Sequence, residues 1–229
     1  MVLMNLNAVY AAFGAAENFD SYSTGVALDG LSGGTGWVSN WTKSSSGEDT
    51  IQVAPAGGQG GKAVFTAYAS QYYRDFTSFS EGTISIDIYS TTATPPDFSG
   101  IILNAATGNN SKRCYVRLGP TSGQVQAYNG ATYVQVGSFS VNTWVNIKVR
   151  IDSTNQLNKF GVSVDDGSWS SWMSCDGTFS DWEGIVFDSG DAYLYYDDIN
   201  DGTAPPPPST PSIIRCLLGM GLTRGCTLR

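Results

Sequence analysis

At 229 residues, with 41% apolar and 14% charged residues and a net charge of −8, the chain holds ample material for a buried core and reads as globular. The charge is split: Met1 to Asp201 carries nine Lys/Arg against all twenty Asp/Glu, a net −11, whereas the remainder has three arginines and no acid. An acidic body without a basic stripe excludes nucleic-acid binding, no run nears the roughly 20 apolar residues of a membrane-spanning helix, and the lack of any histidine removes Ser-His-Asp and Cys-His catalysis.

Residues 1–16, MVLMNLNAVYAAFGAA, place small residues before Glu17 as a secretory signal does, but they lack a basic start and two asparagines interrupt the apolar run. The segment is expected to stay on the chain, with synthesis and assembly in the cytoplasm and the finished object working outside. From residue 17 to 201 the dominant period is two. KAVFTAY, SQYYRDF, GTISIDIYS, SGIILNA, RCYVRLG, GQVQAYNG, TYVQVGSF, TWVNIKVRID, NKFGVSVDD, EGIVFDS and DAYLYYDDI read in turn as strands separated by Gly, Asn, Asp or Pro. Val145, Ile147, Val149 and Ile151 share one face while Asn146, Lys148 and Arg150 share the other, as do Ile84, Ile86 and Ile88 against Ser85, Asp87 and Tyr89. This is the alternation of half-buried antiparallel strands. The spacing predicts an all-β, two-sheet antiparallel sandwich over 17–201, with extended N- and C-terminal segments and no helix.

Residues 202–212 form a Pro-rich linker, which extends about 3.1 Å per residue in polyproline II and cannot continue a ladder. Residues 213–229 follow as an apolar, basic tail. Ile213, Ile214, Leu217, Leu218, Met220 and Leu222 are an apolar set the sandwich does not need, and Arg224 adds charge opposite to that of the body. The tail is expected to be an assembly element ordered by contact with another chain, either as an added strand or as a short helix in a groove. Of the four cysteines, Cys114 reads as a small buried hydrophobe and Cys175 as a loop residue, while Cys216 and Cys226 are spaced to pair under oxidising conditions.

The ordered series ENFDSYSTG (17–25), GWVSNW (36–41), GGKAVF (60–65), GTISIDIY (82–89), VQAYNGATYVQVGSFSVNTWVNIKVRID (125–152), FGVSVDDG (160–167) and AYLYYDDI (192–199) resembles the concanavalin A-like jelly roll. The resemblance is to its laminin G-like branch, found in lectins, glucanases and phage proteins. It implies two stacked sheets in which a first strand near Phe19 lies close to the last near Tyr196. It also implies a structural calcium near those strands as the candidate cofactor, with Glu17, Asp20, Asp197 and Asp198 as ligands. The alternative for these acids is that they keep strand ends polar. The E-x-D-x-x-E signature of glycosidases of this fold is absent. Asp165-Asp166 and Asp197-Asp198 are adjacent pairs, whose members point to opposite faces of a regular strand. No enzymatic activity is therefore expected.

A glycan site needs aromatic faces beside planar polar groups. If Cys114, Val116 and Leu118 face inward, Arg113, Tyr115 and Arg117 face outward, and Gln124, Gln126 and Tyr128 align beside them across the hairpin, with Tyr133 and Gln135 extending the stripe. The same pattern is also that of an ordinary solvated sheet face. Trp169, Trp172 and Trp182 either cap the core or form a contact surface. The reading favoured by these features is a non-enzymatic structural and adhesive protein of an assembled particle. A phage or viral capsid-decoration or tail component with an outward lectin-like domain fits it best, partnered by other copies or other structural proteins through the tail. A secreted carbohydrate-binding module is the alternative, and a degenerate glycoside hydrolase or lyase a third.

Overall fold

The computed structural model describes residues 13–56, 61–96, 98–105, 112–177, 181–190 and 192–202, with the side chains of Lys112 and Arg113 outside that description. The Pro-rich linker from 203, the tail residues Ile213, Ile214, Leu217, Leu218, Met220, Leu222 and Arg224, the pair Cys216 and Cys226, and residues 1–12 of the N-terminal segment lie outside the described residues.

The described residues contain strands and turns but no helix. The strands are β1 (Thr42–Lys43), β2 (Glu48–Val53), β3 (Lys62–Ala67), β4 (Gln71–Phe79), β5 (Glu81–Ser90), β6 (Ser99–Asn104), β7 (Lys112–Leu118), β8 (Gln124–Tyr128), β9 (Tyr133–Ser138), β10 (Trp144–Asp152), β11 (Lys159–Val164), β12 (Met173–Ser174), β13 (Trp182–Ser189) and β14 (Leu194–Asn200). They form two seven-stranded antiparallel sheets, ordered β1-β4-β13-β6-β7-β8-β9 and β12-β11-β10-β5-β14-β3-β2. All eleven expected strands are present. The sequence reading passes over β2, whose EDTIQV mixes acids with apolar residues, and the two-residue β1 and β12.

Alternation decides what each strand buries. On the second sheet Ile84, Ile86 and Ile88 of β5 lie beside Val145, Ile147 and Val149 of β10, all buried. On the first sheet Cys114, Val116 and Leu118 of β7 and Val125 and Ala127 of β8 supply the facing layer. Tyr196 of β14 crosses between the layers. Its ring stacks on Phe187 of β13 at 4.3 Å, and its hydroxyl donates toward the carbonyls of Asp188 at 2.9 Å and Gly100 at 3.0 Å. Burial raises the phenol well above its ordinary pKa, so the hydroxyl stays a donor. A buried tyrosine needs such a partner, and here the partners fix the spacing of β13 and β6 beneath the outer face of the first sheet.

No strand forms near Phe19, where the resemblance implied one. Phe19 has φ 58 and sits in a turn with its ring in the core. The expected closeness of first and last segments is carried instead by a single bridge, with Glu17 N donating to Ile199 O at 2.9 Å and Ile199 N to Glu17 O at 2.8 Å. Phe13 to Ala16 lie beside Asn200 and Asp201 around a cleft of about 180 Å³.

The outer face of the second sheet carries an aromatic ladder that periodicity alone did not assemble. Phe65, Tyr195, Tyr89 and Trp144 are successive register partners across β3, β14, β5 and β10, with ring centroids 5.0, 5.7 and 5.5 Å apart. Cross-strand aromatic pairs of this kind contribute about 0.5–1 kcal/mol each.

Candidate functional site

On β7 the inward turn of Cys114, Val116 and Leu118 forces Tyr115 and Arg117 outward, and on β8 the burial of Val125 and Ala127 does the same for Gln124, Gln126 and Tyr128. Register then sets the neighbours: Arg117 pairs with Gln126, Gln126 with Gln135, and Tyr128 with Tyr133. All five expected ligand-binding residues, Tyr115, Arg117, Gln124, Gln126 and Tyr128, therefore occupy one face.

Two rows result. In the aromatic row Tyr115 meets Tyr128 edge to face at 5.9 Å, and Tyr128 meets Tyr133 at 5.4 Å. In the polar row Arg117 donates from Nε and Nη2 to Gln126 Oε1 at 3.1 and 2.9 Å, and Gln126 Nε2 donates to Gln124 Oε1 at 2.8 Å. The Arg117 guanidinium also lies 3.4 Å from the centroid of the Tyr133 ring. Such a chain fixes rotamers, so the groups are presented without a further ordering cost on binding. The rows border a groove of about 240 Å³ lined by Tyr115, Tyr128, Tyr133, Phe98 and Asp176. A smaller depression beside it runs over Gly100 between Arg117 and Asp188. A Cβ at Gly100 would collide with the backbone of Val116 and Arg117, so the depression needs glycine there.

Phe98 and Asp176 were missing from the sequence reading, because both come from loops whose position no alternation predicts. Asp176 is brought in by its neighbour. Cys175 forms a disulfide with Cys114, 61 residues away, which corrects the reading of Cys114 as only a small buried hydrophobe.

The four acids considered for calcium are arranged differently. Glu17 is buried against Arg74, with Oε2 3.0 Å from Nη1, and accepts further bonds from Phe19 N and Tyr22 Oη. Asp20 accepts from the backbone N of Lys62 at 2.7 Å. Asp197 lies opposite Asp87 in the β14–β5 register, with Asp198 next to it at φ 49, so the expectation of a regular strand with opposed side chains fails at this bulge. Burial, then the neighbouring Asp198, pushes the Asp197 carboxyl up to about 9. Burial, then Asp87 and Asp20, pushes Asp198 up to about 6. Among the described residues no group of three or more His, Cys, Asp or Glu is arranged to hold a metal ion.

The tryptophans divide. Trp182 is in the core, whereas Trp169 and Trp172 flank Arg150, whose guanidinium carbon lies 4.8 and 4.4 Å from their ring centroids.

No family model matches the chain, and no curated protein matches it in sequence. In three dimensions it is similar to a sialidase, with a TM-score of 0.57 at 12% identity over 84% of this chain and 18% of that one, so it spans under a fifth of that protein's length. It is also similar to the catalytic domain of a glycoside hydrolase family 131 protein from Coprinopsis cinerea, with a TM-score of 0.47, 15% identity and coverage of 82% and 93%. A third similar structure is the carbohydrate binding module CBM66 from Bacillus subtilis, with a TM-score of 0.39, 14% identity and coverage of 69% and 92%. At such identities the likeness speaks to architecture and not to activity. The architecture is a two-sheet antiparallel jelly-roll sandwich.

Proposed function

We propose that this domain is a non-catalytic glycan-binding module that acts as the adhesive, outward-facing part of a larger assembly. The observation that carries the binding reading is the groove on β7, β8 and β9, where three tyrosine rings stand in contact beside the Arg117–Gln126–Gln124 chain. Sugar C–H faces pack on such rings while hydroxyls bond the planar polar groups. Most glycoside hydrolysis uses two carboxyl groups across one bond, and among the described residues the groove is lined by one, Asp176. In the depression next to it Asp188 accepts from Gln71 Nε2 and from Gly190 N, which ties it to the scaffold.

The assembly part of the reading is supported by the contrast between a body of net −11 up to Asp201 and a tail with three arginines and no acid. The Cys114–Cys175 bond supports action in an oxidising setting outside the cell, since such bonds are rare in reducing cytosol. A secreted binding module would use the same groove, and the two versions differ only in what the tail does.

Screening the full-length protein and Tyr128→Ala on a glycan array tests the binding claim. Binding by the parent protein that falls about tenfold or more in the variant is expected; binding unaffected by Tyr128→Ala would remove the groove from consideration. Sedimentation of the full chain against a version ending at residue 202 tests assembly, which only the full chain should show.

A further inference from the structure

We infer that Asp176, held at the groove by the Cys114–Cys175 bond, is a specificity determinant that restricts the groove to uncharged saccharides with adjacent hydroxyls. This rests on the reading of the groove as a glycan site, and it names the ligand class.

The argument starts from how the chain reaches the groove. After β11 the polypeptide leaves the second sheet and returns as β12, where Met173 pairs with Phe160 and Ser174 with Lys159. Cys175 N then donates to Asn158 O at 2.8 Å, and its side chain is bonded to Cys114 of β7, in the other sheet. Ser174 packs on the β8–β9 turn at Gly130, where an added Cβ would lie 2.9 Å from the Ser174 Cβ and where φ of 90 already favours glycine. The residue before Asp176 is thus anchored to both sheets. Asp176 follows this anchor directly, as Tyr115 follows Cys114, and both line the groove.

The Asp176 side chain is exposed and makes no hydrogen bond or ion pair among the described residues. A carboxylate on a fixed backbone accepts from two neighbouring hydroxyls at once, and bonds to an ionised acceptor are the stronger kind. It also repels a ligand carboxylate. Among the described residues that line the groove, Phe98, Tyr115, Tyr128, Tyr133 and Asp176, none is cationic. The nearby Arg117 spends two donors on Gln126 and its face on Tyr133, so it is not presented as a fork for an anionic sugar. The surrounding body, at net −11 up to Asp201, adds to the repulsion.

The test uses the full-length oxidised protein, with neutral oligosaccharides and their sialylated or uronate-bearing counterparts, in the parent, Asp176→Asn, Asp176→Lys and Tyr128→Ala forms. The parent should bind neutral glycans at least about tenfold more tightly than their acidic counterparts, Asp176→Asn should weaken neutral binding by about tenfold, and Asp176→Lys should bring acidic glycans onto the groove. Acidic glycans bound as tightly as neutral ones in a Tyr128-dependent manner would overturn the assignment while leaving the groove a glycan site. So would neutral binding unchanged in Asp176→Asn. An array on which the parent binds nothing, or binds regardless of Tyr128, would remove the groove reading and this assignment with it.

Discussion

Arg74 Nη1 lies 3.0 Å from Glu17 Oε2, and both side chains are almost wholly buried. The guanidinium is roofed by Trp37 and Trp41, 4.7 and 5.6 Å from their ring centroids, and Arg74 Nε donates to Ser39 O at 2.9 Å. Tyr22 closes the cluster by donating to Glu17 Oε2 at 2.8 Å and accepting from Gly33 N at 2.6 Å, which joins the first described segment to β4 and to the loop before β1. Removing one member leaves the other charge buried and uncompensated. Glu17→Gln should cost about 3–5 kcal/mol and lower the melting temperature by about 10 °C. Adding Arg74→Met should recover part of the loss, because an apolar replacement of the pair avoids the stranded charge. A single variant with an unchanged melting temperature would show that water reaches the cluster.

The Asp197 carboxyl gives stability a pH dependence of known sign. Its folded value of about 9 exceeds the ordinary carboxylate value near 4, so the folded state holds the proton more tightly than the unfolded chain does. The favourable contribution is full below about pH 4 and is lost as pH rises toward 9. Asp198, raised to about 6, adds the same trend over the lower part of that window. Asp197→Asn should therefore melt about 3–6 °C above the parent protein at pH 8 and match it at pH 4. Thermal scans at the two pH values decide it, and equal gains at both would place the cause elsewhere than in ionisation.

Reduction of Cys114–Cys175 opens a loop of 61 residues and should lower stability by about 4 kcal/mol through the freedom returned to the unfolded chain. Urea titrations with and without reductant measure it. The strands should persist under native conditions, so far-UV dichroism is expected to stay the same while protease cleavage begins near residues 165–177. An unshifted urea midpoint on confirmed reduction would mean that the bond adds no stability.

Much of this molecule is legible in its sequence wherever a local rule fixes the outcome. GTISIDIYS and TWVNIKVRID declare their buried faces, and the GPTSG turn sets Arg117 opposite Gln126, so both the sandwich and five residues of the sheet face bordering the groove follow from period and hairpin alone. What stayed hidden depends on register between distant strands or on loops. Asp87 and Asp197 are 110 positions apart and become neighbours only once β5 and β14 pair. Cys175 reaches Cys114 only because β12 docks on β11, and Phe98 and Asp176 enter the groove from segments with no period to read. Glu17 was grouped with the other acids by its place in the chain, whereas its partner is a buried arginine on β4 that alternation sends to the interior.

The bridge between Glu17 and Ile199 has a mechanical consequence. The first and last described segments meet at one neck, so tension applied between them falls first on two backbone hydrogen bonds and next on the Glu17–Arg74 pair behind them. A pull between the groove and either segment follows a different route. It passes from β7 through β6 and β13 and across the Tyr196 hydroxyl into β14, spreading over paired strands and a packed core. The sandwich is therefore weak to being peeled open at its neck and strong as a tether between a bound ligand and whatever holds that neck.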